Sequence, residues 1–106
     1  MNYKDYGLSL YDEIAVKTIV AYLLTLEESE RQKTLDMMQA SKEVFASVLE
    51  KSIEQFRNDY ELQSRVSTYY KYIGKEYLER LQTVKSEAYL EEVPQGVFQY
   101  ILDCLK

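Results

Sequence analysis

The sequence predicts an all-α protein, and three observations carry this prediction. The 106 residues include three glycines and one proline, far fewer turn-forming residues than a β-sandwich or barrel requires. Apolar residues recur at the helical period of 3.6 along most of the chain. The composition, 46% apolar and 29% charged, is that of a globular chain. We therefore expect one helical domain over residues 1–106, a compact or elongated antiparallel bundle of four to five helices.

The first predicted helix runs from Ser9 or Leu10 to Leu26. Thirteen of the 19 residues between Leu8 and Leu26 are apolar, and they lie nearly all round the helical wheel. Glu13 and Lys17 form an i,i+4 pair on the remaining polar strip. A helix this apolar is expected to lie in the middle of the bundle.

The second segment extends from Glu27 to Asn58. Thr25 and Glu28 match a capping box, which predicts a helix start at this point. The residues from Glu27 to Thr34 include no apolar residue, whereas an apolar stripe at helical spacing runs from Leu35 to Tyr60. The sequence allows one helix here, or two that meet near Ala40 and Ser41.

The third segment begins after the capping signal Asn58–Asp59, and an apolar stripe follows from Leu62 to Ala88. Gly74 lies inside this stripe and indicates a bend or a close contact. An unbroken helix from Leu62 to Leu90 would be about 44 Å long, so it would project from a compact domain or form an elongated bundle. Both arrangements favour a homodimer.

The last predicted helix has Pro94 in its first turn. Its apolar face comprises Val97, Phe98, Ile101, Leu102 and Leu105.

The residue types make catalysis unexpected. The chain has no histidine, which excludes histidine-based triads and histidine-ligated zinc. The single cysteine, Cys104, has no histidine to activate it and is interpreted as a partly buried apolar residue. The glutamate pairs Glu27/Glu30, Glu50/Glu54, Glu76/Glu79 and Glu87/Glu91 are expected to lie at the solvated surface. We predict no enzyme activity, no cofactor and no bound metal.

Tyrosine is unusually abundant, with eleven residues against three phenylalanines and no tryptophan. Tyr72, Leu78 and Tyr89 fall off the apolar stripe of the third segment, close to Lys71 and Lys75. Tyrosine offers apolar area and a hydrogen-bonding group, so these five residues are our candidate contact surface for a partner protein. The alternative is that a neighbouring helix of the same bundle covers them.

The net charge of −5 makes nucleic acid an unlikely main partner. Residues 62–86 nevertheless carry a net charge of +3. The alternative function is therefore a nucleic-acid-binding regulator that uses this basic, tyrosine-bearing helix, with basic side chains Arg65, Lys71, Lys75, Arg80 and Lys85.

The longest apolar stretch, Ile14–Leu26, is too short to span a bilayer, so we expect no membrane segment. The lone cysteine and the absence of a secretion signal at Met1–Tyr6 predict a cytoplasmic protein. Small size, acidity, missing catalytic residue types and surplus tyrosine favour a non-catalytic protein-binding role. Adaptors, assembly factors, inhibitors and immunity-type regulators belong to this class.

Overall fold

A computed structural model describes residues 2–69 and 75–106 of the chain, and within helices it leaves the side chains of residues 65–69, 75, 76 and 78 undescribed. These ranges contain α-helices and no strand. A 3₁₀ turn, Tyr3–Tyr6, precedes the helices α1 (Leu10–Leu23), α2 (Glu28–Ala40), α3 (Lys42–Asn58), α4 (Tyr60–Tyr69), α5 (Lys75–Leu81), α6 (Ala88–Glu91) and α7 (Val97–Leu105). The all-α prediction is confirmed. The described ranges hold seven α-helices against the four to five expected, and three of these, α5, α6 and α7, have fewer than ten residues.

Helix α1 is the centre of the fold, as predicted. Ser9 caps its first turn through a reciprocal capping box with Asp12. Residues on nearly every side of the helix are buried, and α3, α4, α5 and α7 pack around it. The predicted ion pair lies on its polar strip, where Lys17 Nζ is 2.5 Å from Glu13.

The end of α1 differs from the prediction, because the helix stops at Leu23 and not at Leu26. Thr25 does not form the predicted capping box. Its hydroxyl donates instead to the carbonyl of Tyr22 (2.6 Å), and Glu27 caps α2 without a side-chain hydrogen bond. The Arg31 guanidinium donates to the carbonyls of Leu23 and Leu26 and so satisfies the end of α1 from the first turn of α2.

Two helices, α2 and α3, form the second segment. Ser41 lies between them in an extended conformation, and its hydroxyl accepts a hydrogen bond from the Val44 amide. A serine that caps a new helix explains the break at this position without a glycine or proline. Asp59 separates α3 from α4 in the same way, because its carboxylate accepts from the Leu62 amide at 3.1 Å.

The predicted long helix to Leu90 is wrong, because α5 ends at Leu81. The amides of Thr83 and Val84 bond back to Arg80 and Leu81, and the chain then turns into the four-residue helix α6. Buried Val84 anchors this turn in the core. Gly74 lies outside the described residues, so the expected bend or close contact at this glycine stays a prediction.

The domain is compact and not elongated. Its principal extents are 32, 29 and 26 Å, and its Cα radius of gyration is 12.6 Å, close to the value expected for a globule of this length. One apolar cluster joins all the long helices, with Phe45, Phe56, Ile19, Leu23 and Leu49 among its fully buried members. Since α5 turns back at Leu81, the helix that was to project beyond the globule is absent. The geometric reason for a homodimer is lost with it.

The C-terminal helix α7 begins at Val97, whose amide bonds to the Pro94 carbonyl at 3.1 Å. Val97 and Ile101 are buried as predicted, whereas Leu102 is 40% exposed. None of the helices in the described ranges has the length and apolar composition needed to cross a bilayer.

Candidate interaction surface

The fold uses most of its tyrosines internally. Side-chain positions are described for eight of the eleven, and seven of these are buried or half-buried. The exception is Tyr60, whose side chain is 86% exposed. Among the described tyrosine side chains, Tyr60 is therefore the exposed one, although the sequence placed it on the apolar stripe of the second segment.

Tyr89 is buried, which corrects the expectation that it faces outward. It is 3% exposed, and its ring packs against Phe45 (centroids 5.2 Å apart) and Tyr11 (6.1 Å). Its hydroxyl donates to Asp12 at 2.8 Å. Burial, aided by this carboxylate, raises the pKa of Tyr89. The tyrosine was misplaced because it belongs to the short helix α6 and not to a continuation of α5.

Two further tyrosines tie later segments to α1. The hydroxyl of Tyr77 lies 2.5 Å from that of Thr18, and the Ile14 carbonyl lies 3.3 Å from the Tyr77 hydroxyl and 2.7 Å from the Thr18 hydroxyl. Burial raises the pKa of Tyr77. The Tyr11 hydroxyl accepts from the backbone amide of Lys85 and donates to its carbonyl. These bonds hold α5 and the turn that follows it against α1.

The remaining predicted contact residues are not placed. Tyr72 and Lys71 lie outside the described residues. Lys75 and Leu78 belong to α5, but their side chains are not described. Of the five predicted residues, Tyr89 is the one whose side chain the structure places, and it lies in the core. That the other four share a contact surface stays a prediction.

Tyr60 is held firmly although its ring is exposed. It is the first residue of α4, directly after the capping residue Asp59. The side-chain amide of Gln63 donates to the carbonyl of Phe56 at 2.8 Å and so connects the first turn of α4 to the end of α3. Phe56 and Leu62, on either side of this junction, are fully buried. The backbone that carries the Tyr60 ring is thus anchored on both sides.

An open groove of about 620 Å³ lies beside this ring at the junction of α3 and α4. We call this region the Tyr60 corner; its lining residues are Lys51, Glu54, Gln55, Asn58, Asp59, Tyr60 and Glu61. The described lining residues carry three carboxylates and one ammonium group. The ammonium of Lys51 lies 5.7 Å from the centroid of the Tyr22 ring, in the range of a cation–π contact.

A second groove lies on the other side of the same stretch of α3, and Glu54 and Asn58 line both grooves. Its other lining residues include Glu50, Arg57 and Glu87. The exposed edge of α3 is therefore a polar ridge between two depressions. The exposed Tyr60 ring lies at the first of these grooves, the Tyr60 corner.

The glutamate pairs and Cys104, which the sequence analysis considered for catalysis or metal binding, do not form a common site in the described part of the chain. The side chains of Glu27/Glu30, Glu50/Glu54 and Glu87/Glu91 are exposed, as expected, while Glu76 is not described. Within the described part of the chain, no three cysteine or acidic side chains converge as a metal site would require. Cys104 is half-buried, and burial raises the pKa of its thiol.

Comparison with known proteins assigns the chain to no family. The chain matches no protein-family model, and no curated protein or solved structure is significantly similar to it.

Proposed function

We propose that this protein acts by binding another protein and has no catalytic activity of its own. Adaptors, assembly factors, inhibitors and immunity-type regulators work in this way. The observation that carries the proposal is Tyr60, an exposed aromatic ring on a firmly anchored helix start. Tyrosine is enriched at the energetically important positions of protein interfaces, and a fixed backbone lowers the entropy cost of binding.

The residue types of the chain support a non-catalytic role. General acid–base and nucleophilic catalysis most often use histidine, which the sequence lacks. The raised pKa values of Tyr77 and Tyr89 accompany burial in the core, and that of Cys104 accompanies partial burial against it. Groups of this kind stabilise a fold and are poorly accessible to a substrate.

The alternative, a nucleic-acid-binding regulator, has less support. It required one basic helix over residues 62–86, whereas α5 ends at Leu81 and Lys85 lies in the following turn. Arg80 and Lys85 are therefore not on a common helical face. The carboxylates beside Tyr60 would repel a phosphate backbone.

A homodimer remains a proposal that depends on Tyr72 and Leu78. Light scattering on the wild type and on the Tyr72→Glu, Leu78→Glu double variant tests it, because a dimer formed through these residues becomes monomeric while it stays helical. The lone cysteine fits the cytoplasm, a reducing compartment, as the place of action.

Affinity capture from an extract of the native host, followed by purification of the captured protein, tests the binding role. We expect saturable binding of the two purified proteins at a fixed stoichiometry in isothermal titration calorimetry. Capture of no protein, or turnover of a small molecule by the purified chain, contradicts the proposal. Nucleic acid recovered in place of protein favours the alternative.

A further inference from the structure

We infer that the Tyr60 corner binds an arginine-bearing segment of the partner protein. This inference rests on the proposed function and names the surface and the chemistry of its ligand. It follows from two independent properties of the corner: an aromatic ring in solvent, and a groove lined by more carboxylates than ammonium groups.

The exposed ring selects for a flat or apolar group. Leaving 86% of a tyrosine side chain in water forgoes the stabilisation that its burial would give. The neighbouring residues Asp59 and Leu62 are both used in the start of α4, whereas Tyr60 forms no aromatic contact with another described ring. Most of its surface is therefore accessible to a ligand.

The charges around the ring select for a cation. The groove includes the exposed carboxylate of Glu54 on α3. Among the described lining residues, the ammonium group is that of Lys51, and it lies over the Tyr22 ring. A partner with basic side chains matches this balance, and an acidic partner does not.

Arginine satisfies both requirements with one side chain. The planar guanidinium stacks on an aromatic face and can donate two parallel hydrogen bonds to a carboxylate. Lysine supplies the charge without the flat surface. We therefore expect arginine to bind more tightly than lysine at this corner.

The test is a nuclear magnetic resonance titration of the isotope-labelled full chain with a blocked peptide of alternating arginine and glycine. We expect chemical-shift changes concentrated in residues 51–61. Tyr60→Ala and Glu54→Gln are each expected to weaken binding about three- to fivefold, the range of an exposed cation–π or ion-pair contact. Tyr60→Phe is expected to retain the affinity, because stacking uses the ring and not the hydroxyl.

Matched controls separate this site from general charge attraction. Glu30→Gln removes an exposed carboxylate on α2 and should leave the affinity unchanged. A peptide with citrulline in place of arginine keeps the shape without the charge and should not bind. Since Tyr60 is exposed, Tyr60→Ala is expected to keep the melting temperature of the wild type, which shows that lost binding is not lost folding.

Five outcomes overturn the inference. Shift changes spread over all acidic surfaces indicate non-specific attraction, and equal binding of the citrulline peptide indicates an apolar ligand. Unchanged affinity of Tyr60→Ala removes the ring from the site. Self-association that Tyr60→Ala abolishes identifies a second copy of the chain as the occupant. If the peptide fails but a captured protein still binds, the proposed function stands and only this assignment is lost.

Discussion

At the scale of single residues, hydrogen bonds between tyrosines and carboxylates attach the chain ends to the core. Tyr89 donates to Asp12, and Tyr6 donates to Asp103 across 97 residues of sequence. The Tyr6 ring also packs on Tyr100, with centroids 4.8 Å apart. The N-terminal 3₁₀ turn and α7 therefore support each other.

The contact between Tyr6 and Asp103 predicts a dependence of stability on pH. The Tyr6 hydroxyl, followed by the Gln99 amide, holds the pKa of Asp103 below its ordinary value. A lowered carboxyl pKa contributes stability above the unfolded value of about 3.9, and this contribution is lost as the pH falls through the folded value. We expect urea unfolding to find wild type more stable than Tyr6→Phe at pH 7, with a smaller difference below about pH 4.

At alkaline pH, the change of stability with pH has the opposite sign. The hydrogen bond to Asp103 raises the pKa of Tyr6 to about 12. A raised tyrosine pKa contributes stability below its unfolded value of about 10, and that stability is lost as the pH rises towards 12. A difference between wild type and Tyr6→Phe that is constant from pH 3 to pH 11 contradicts the assignment.

Gly96 is expected to tolerate no side chain. A Cβ atom there would overlap the backbone carbonyl of Tyr6, which cannot move away as a flexible side chain could. We expect Gly96→Ala to lower the free energy of unfolding by about 1–3 kcal/mol, the usual cost of overpacking, in urea unfolding followed by circular dichroism.

The variant Gly7→Ala serves as a control for Gly96→Ala. Gly7 has a φ of 72° but open space around it, so alanine there costs only the left-handed conformation, about 1–2 kcal/mol. A neutral Gly96→Ala variant would show that the N-terminal turn does not pack on α7 in solution.

At the scale of elements, α2 is less firmly anchored than α1 and α3. Of its thirteen residues, all described, Leu35 and Met38 are buried. Its main packing partner is α3, whereas α1 is surrounded by four helices. The sequence already indicated this weakness, because the first part of α2 has no apolar residue.

We expect the α2 amides to exchange with solvent at least about tenfold faster than those of α1 and α3. Local opening of α2 exposes two buried side chains, whereas opening of α1 disrupts the whole core. Hydrogen exchange followed by mass spectrometry of peptides from residues 28–40 and 10–23 measures this. Equal protection of the two peptides would show that α2 opens only with the rest of the domain.

At the scale of the whole molecule, one core connects the elements. A single buried cluster includes Ile19 of α1, Met38 of α2, Phe56 of α3, Leu62 of α4 and Ile101 of α7. No linker divides the chain into separately packed parts in the described ranges.

We therefore expect a single cooperative unfolding transition. Buried Tyr77, Tyr89 and Tyr100 report on core packing in near-ultraviolet circular dichroism, and the helices report in the far ultraviolet. The two signals should share one midpoint in urea, as in two-state domains of this size. Loss of the tyrosine signal at a lower urea concentration than the helical signal contradicts one common core.

The apolar period of the sequence by itself determined the helical class and the central place of α1, and the capping signal Asn58–Asp59 determined the start of α4. These features depend on side chains a few residues apart, such as the Glu13–Lys17 pair, and local spacing predicts them. The sequence allowed either one helix in the second segment or two helices that meet near Ala40 and Ser41. The side-chain cap of Ser41 on Val44 accounts for the break.

Tertiary structure decided where α5 ends and which tyrosines are exposed. Tyr11, 74 residues away, holds Lys85 in the turn after α5. The end of α1 depends on nearer contacts, because Thr25 bonds to Tyr22 and Arg31 caps α1. The apolar period continues past Leu81, so no local signal marks that turn. Tyr89 is buried and Tyr60 exposed for the same reason: burial depends on which distant surface covers a side chain, and spacing along the chain does not contain that information.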